Sequence, residues 1–142
     1  MDEIYLAALK LLQVRDYTVA GLSQKLQSKF GTVPGEVLQQ LLEKNFLNDL
    51  RFAENYISKR KHRGQAILRE DLIAHGIARD LVDRVLSETS WPSLRQALTA
   101  KMMDWNLRAP LQPRDAARLF RALLRLGYDE DAIREEIGIH EQ

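Results

Sequence analysis

The ionisable side chains of this 142-residue chain are arranged for contact rather than for making and breaking bonds. His62, His75 and His140 stand far apart, and none has a histidine or carboxylate partner at the spacing that metal ligands use. His75 precedes Gly76 and reads as a cation near the negative end of a helix. Asp129, Glu130 and Asp131 open the final helical pattern, where negative charge offsets the positive helix end. Glu70 and Asp71 follow Arg69 and read as solvated or salt-bridged. The seven glycines are scattered, so none forms a phosphate-cradling loop. No serine, histidine and aspartate grouping suits nucleophilic catalysis. An enzyme is not expected, and neither is a metal or cofactor.

Two basic surfaces remain. Residues 51–69 carry Arg51, Lys59, Arg60, Lys61, Arg63 and Arg69 against Glu54 alone. Cations at a helix C-terminus stabilise it, but the run Lys59-Arg60-Lys61-His62-Arg63 exceeds what capping needs. The second surface is a row, Arg114, Arg118, Arg121 and Arg125, at i, i+4, i+7 and i+11 on one helix face. Arginine offers a planar fork of donors to phosphates or carboxylates. The competing reading is a solubilising face paired with Asp104, Asp115 and Asp129. Phe52 and Tyr56 fall on an apolar stripe, so no stacking platform for bases is expected.

The elements that must position these residues are helical throughout. Ile4, Tyr5, Ala8, Leu11 and Leu12 define one buried face. Asp16 or Thr18 caps a second helix carrying Val19, Leu22, Leu26 and Phe30. Pro34 fits the first turn of a third, which buries Val37, Leu38, Leu41 and Leu42. Asn48 or Asp49 caps a fourth with Phe52, Ala53, Tyr56 and Ile57. Five more follow: one with Leu68 and Leu72, one with Val82 and Leu86, one with Leu94, Leu98, Met102 and Trp105, one with Leu119, Phe120, Leu123 and Leu124, and one with Ile133 and Ile137. No alternating β pattern is present.

The helices repeat in threes. Leu22 and Leu26 precede Gly31, Leu68 and Leu72 precede Gly76, and Leu119 and Leu123 precede Gly127. Beyond each glycine come Val37 and Leu41, Val82 and Leu86, and Ile133 and Ile137. The expected fold is all-α, with tandem three-helix modules at 1–47, 48–90 and 91–142, about nine helices in an elongated, curved row. The alternative is a compact nine-helix globule in which the glycines only punctuate helices.

Bulk properties add little. Net charge is +1 and apolar residues make up 45%, an ordinary balance for a folded domain that names no partner. Absence of cysteine suits a reducing cytosol. No apolar run approaches the ~20 residues of a membrane span, and the acidic start, MDEIYLAALK, is unlike a signal peptide.

Leu47-Asn48-Asp49, Arg51-Phe52-Ala53, Tyr56-Ile57, Arg60 and Gly64, then Leu68-Arg69-Glu70-Asp71-Leu72 and Gly76-Ile77, resemble the signature of the RecX regulators. Asp71 stands where that family usually has Glu. The opening Ala8-Leu9, Leu12, Arg15-Asp16-Tyr17-Thr18, Leu22 and Lys25-Leu26 is similar to the family's first module. Phe120, Leu123-Leu124 and Leu126-Gly127-Tyr128 are similar to its third. The resemblance implies tandem three-helix repeats and an inhibitor of the RecA recombinase; a monomer in the cytoplasm is expected. Such a protein lies in the groove of the RecA filament, near its single-stranded DNA, opposes extension, and lowers ATPase, strand exchange and repressor cleavage. The expected contacts are Arg51, Arg60, Lys61, Arg63 and Arg69, then Arg114, Arg118, Arg121 and Arg125. A helix-turn-helix protein that binds DNA directly is the other reading.

Overall fold

The computed structural model describes residues 2–142. They form α1 (Asp2–Val14), α2 (Val19–Phe30), α3 (Gly35–Glu43), α4 (Asp49–Lys59), a 3-10 turn (Lys61–Arg63), α5 (Gln65–Ala74), α6 (Arg79–Glu88), α7 (Leu94–Asp104), α8 (Pro113–Arg125) and α9 (Glu130–Glu141). Among the described residues there is no strand. The order and the all-helical class are those expected from the apolar spacing.

Local chemistry explains the helix ends. Thr18 caps α2 by accepting from the Gly21 N–H, Asn48 caps α4 by accepting from the Arg51 N–H, and Asp129 caps α9 by accepting from the Ala132 N–H. Ser93 and Gln96 close a reciprocal capping box at α7. Pro113 occupies the first turn of α8, whereas Pro34 stands one residue before α3, as its extended N-cap. Gly31, Gly76 and Gly127 follow α2, α5 and α8 with φ of 82°, 88° and 98°. A side chain in that left-handed region is strained, so glycine is the residue that turns the chain there.

The repeat is realised in the packing. Each apolar pair before those glycines, Leu22 and Leu26, Leu68 and Leu72, Leu119 and Leu123, is fully buried. The pairs beyond them, Val37 and Leu41, Val82 and Leu86, Ile133 and Ile137, are buried too. Some expected core positions are not. Leu42 and Leu124 are exposed, because each sits one position beyond the buried pair member and turns towards solvent.

The residues form two compact units, with a boundary inside the middle triplet. The first runs to Arg60 and resumes at Leu68–Glu88. Ala8, Leu22, Leu26, Val37, Leu41 and Leu47 share one core there, and α4 packs on α6. Three polar or close-packed ties join its first triplet to α4–α6. The Val19 N–H donates to Asp49 Oδ1 at 2.9 Å. Thr18, almost wholly buried, donates its hydroxyl to the His75 carbonyl at 2.7 Å. A Cβ on Gly76 would stand 2.5 Å from that of Ala20.

The second unit comprises Lys61–Ile67 and Thr89–Gln142. Helices α7, α8 and α9 pack pairwise around Leu98, Met102, Leu119, Leu123, Ile133 and Ile137. Gly64 (φ 87°) lies against the end of α8, where a Cβ would come within 2.9 Å of Leu126 Cα.

Thr18 therefore satisfies two backbone groups at once. Thr18→Val, which keeps the shape and removes the hydroxyl, is expected to lower unfolding free energy by about 1–3 kcal/mol. Thr18→Ser should recover most of it, as measured by urea denaturation.

Candidate functional site

The residues expected to meet a partner are divided between the two units. Arg51, Arg60 and Arg69 belong to the first unit, Lys61 and Arg63 to the second. The basic run is split at its second residue. Several of its members also have partners within the fold. Arg51 is half-buried, and its guanidinium donates to the carbonyls of Asn45 at 3.0 Å and Phe46 at 3.4 Å, closing the turn after α3. Lys61 donates to the Ser90 carbonyl at 2.7 Å. Arg63 is exposed in the 3-10 turn.

Arg69 reaches across from α5 to α6 and pairs with Asp83 at 2.7 Å. The hydrogen bond from Arg69 holds the Asp83 carboxyl below the usual carboxylate range and raises the arginine. Both groups are exposed to solvent, so the pair adds little to stability.

Arg60 belongs to a feature that the sequence concealed. Its guanidinium lies over the Tyr56 ring at 4.0 Å. Tyr56 stacks with Phe52 at 6.0 Å, and the His75 ring packs on both, at 5.3 and 5.2 Å. The Tyr56 hydroxyl donates to Asp71 at 3.0 Å. Phe52 and Tyr56 are half-buried rather than core, and His75 is exposed. The expected place of Phe52 and Tyr56 in the core is thus corrected: α4 and the end of α5 carry three clustered rings and a guanidinium packed on one another at the surface. The i, i+4 spacing of Phe52 and Tyr56 was visible in the sequence. The arrival of His75 was not, because it depends on the α4–α5 connection.

The arginine row on α8 is the clearer cationic surface. Arg114, Arg118, Arg121 and Arg125 are all exposed. The helix that carries them buries Ala116, Leu119 and Leu123 on its other side. Arg118 lies over Trp105, 3.7 Å from the ring centre, and Lys101 approaches the same ring at 5.6 Å. The neighbouring carboxylates do not neutralise the row. Ion pairs elsewhere join Arg69 to Asp83, Arg95 to Glu136, and Arg134 to Glu130 and Asp131. Asp129 is occupied instead as the cap of α9. Arg114, Arg121 and Arg125 are exposed on the face of α8 opposite its buried side.

Among the described residues no cluster of histidine and carboxylate side chains has metal-binding geometry, and no helix is long and apolar enough to cross a membrane.

No protein-family profile matches the chain. It is similar to the regulatory protein RecX of Halorhodospira halophila, with 35% identity covering 90% of this chain and 82% of that protein. The RecX regulatory protein of Trichlorobacter lovleyi is 31% identical, covering 94% and 93%. That of Legionella pneumophila is 32% identical, covering 94% and 91%. The crystal structure of RecX from Lactobacillus salivarius superposes with a TM-score of 0.75 at 19% identity, covering 97% of this chain and 96% of that one. This structural match bears on the fold.

The Arg69–Asp83 pair has a definite pH signature. Its contribution is present above the ordinary aspartate range and is lost as pH falls through the depressed value of Asp83. In a carboxyl-detected NMR titration, Asp83 should titrate below the usual aspartate range in the native protein. It should return towards that range in Arg69→Ala.

Proposed function

The chain belongs to the RecX family of regulatory proteins, and from that premise we propose that it inhibits the RecA recombinase by binding in the groove of the RecA–DNA filament. Bound there, it opposes filament extension and lowers ATPase, strand-exchange and repressor-cleavage activity. It acts as a monomer in the cytoplasm, without catalysis of its own. The single observation that supports this reading best is the exposed arginine row on α8, most of it without an internal counter-ion. Such a row meets carboxylates of the recombinase or phosphates of the bound single strand with the same fork of donors. Contacts repeated over neighbouring protomers add through effective concentration. The assembled filament is then preferred to free RecA.

Within this reading the α8 row ranks above the central run. Arg51, Lys61 and Arg69 hold partners inside the fold and Arg60 lies over Tyr56, so the central run, Arg63 included, stands in the second rank.

The test is RecA ATPase on single-stranded DNA with substoichiometric protein. Inhibition is expected. The double variant Arg121→Glu with Arg125→Glu should raise the half-inhibiting concentration at least tenfold, about 1.4 kcal/mol of binding. Its folding stability should change by no more than about 0.5 kcal/mol, the ordinary range for surface sites. Full inhibition by that variant would place the contact elsewhere. No inhibition by the unmodified chain, with tight binding to a specific duplex, would favour the direct DNA-binding reading.

If phosphates are contacted, log affinity should fall with log salt by about 0.7 for each one neutralised on a single strand. Dependence on salt that is unchanged when DNA is varied would point to protein carboxylates.

A further inference from the structure

Helix α8 carries a second outward stripe beside its arginines. Pro113, Ala117, Phe120 and Leu124 fall at i, i+4, i+7 and i+11, each one residue before an arginine of the row. One residue turns a helix by about 100°, so an apolar stripe and a cationic stripe run side by side along α8. Ala117 is exposed, Leu124 is 43% exposed, and Phe120 is half-buried against the edge of the core. The buried side of the helix is made by Ala116, Leu119 and Leu123, and Leu124 lies outside it.

The two edges of the apolar stripe differ in charge. On one side Arg134 of α9 stands over the Phe120 ring at 5.3 Å and pairs with Glu130 at 2.7 Å, so that edge is balanced. On the other side is the arginine row, and α8 sets four arginines against the single carboxylate of Asp115. The row therefore fixes the sign of a ligand as negative, and the stripe fixes its kind. A nucleic acid strand would use the arginines for its phosphates and ring faces for its bases. Both rings beside the row already have cations over them, Trp105 with Arg118 and Lys101, Phe120 with Arg134. The open surface of the stripe is aliphatic, which apolar protein side chains cover and bases do not need. A helix spends its backbone groups internally and offers none to an added strand, so the partner segment must satisfy its own backbone, as another helix does. An apolar seam edged by charge is also the pattern by which helices pair and choose partners.

We propose that α8 docks an acidic amphipathic helix of the recombinase, its apolar seam on Ala117, Phe120 and Leu124 and its flanking carboxylates on Arg121 and Arg125. This rests on the reading of α8 as the filament contact and narrows it, since the row then meets protein carboxylates rather than phosphates.

Ala117→Gln combined with Leu124→Gln removes the apolar stripe and keeps every charge. Both positions are exposed and glutamine suits a helix, so circular dichroism should show the variant folded. In RecA ATPase on single-stranded DNA its half-inhibiting concentration should rise about fivefold or more, while Leu124→Met should inhibit like the unmodified chain. In a second measurement Ala117 is replaced by photoreactive benzoylphenylalanine and the complex with RecA on single-stranded DNA is irradiated. The cross-link should fall on a RecA helix that carries aspartates or glutamates, and it decides alone if the glutamine variant unfolds. Unchanged inhibition by the folded glutamine variant overturns the proposal. So does a cross-link to the DNA, to a RecA segment that is not helical or lacks carboxylates, or to nothing in a chain that still inhibits. In each of those results the unmodified chain inhibits and its reading as a filament inhibitor stands. No inhibition by the unmodified chain defeats that reading, and this proposal with it.

Discussion

Burial of two apolar side chains one turn apart, followed by a glycine that reverses the chain, governs everything else in this protein. It occurs at Leu22 and Leu26 before Gly31, at Leu68 and Leu72 before Gly76, and at Leu119 and Leu123 before Gly127. Truncating one such leucine to alanine typically costs about 2–5 kcal/mol, a large share of the roughly 5–15 kcal/mol by which a domain is stable. The constraint also decides where charge must go. On α8, fixing Leu119 and Leu123 inward leaves i, i+4, i+7 and i+11 outward, and those positions are arginine. The core thus fixes where the row points, and the residue type at those positions is a separate choice.

The cations differ in what the fold already asks of them. Arg51 satisfies carbonyls at the turn after α3, where Asn45 has a φ of 63°. Lys61 braces the segment that leads into α7. Arg69 is engaged by Asp83. Removing Arg51 or Lys61 would disturb the fold, whereas Arg69, Arg121 and Arg125 can be changed with little effect on the core. Arg118 is intermediate, since its guanidinium rests on Trp105. Such a contact is worth about 0.5–2 kcal/mol.

Helix content, order and the repeat were legible because burial follows sequence period directly. The identity of caps was half legible. Asp16 or Thr18, and Asn48 or Asp49, were equivalent by residue type, and the fold uses Thr18 and Asn48 as caps. Asp49 serves another helix altogether, accepting from Val19 thirty residues away, which no local pattern reveals. The capping box at α7 is a local pattern, a serine followed three residues later by a glutamine, Ser93 and Gln96. The aromatic cluster was hidden for a different reason. Phe52 and Tyr56 look like core from spacing alone, but α4 buries Ala53 and Ile57 more deeply and leaves both rings half outside. The basic run, continuous in sequence, is divided at the boundary between the two units, because the 3-10 turn passes Lys61–Arg63 over to the α7–α9 unit.

The central claim is that α8 carries the contact with the recombinase filament. Hydrogen–deuterium exchange of the chain, free and bound to RecA assembled on single-stranded DNA, addresses it without altering a residue. The account predicts new protection concentrated in Pro113–Arg125, with the buried cores unchanged. Binding that leaves Pro113–Arg125 as free to exchange as before, while other helices become protected, would contradict it.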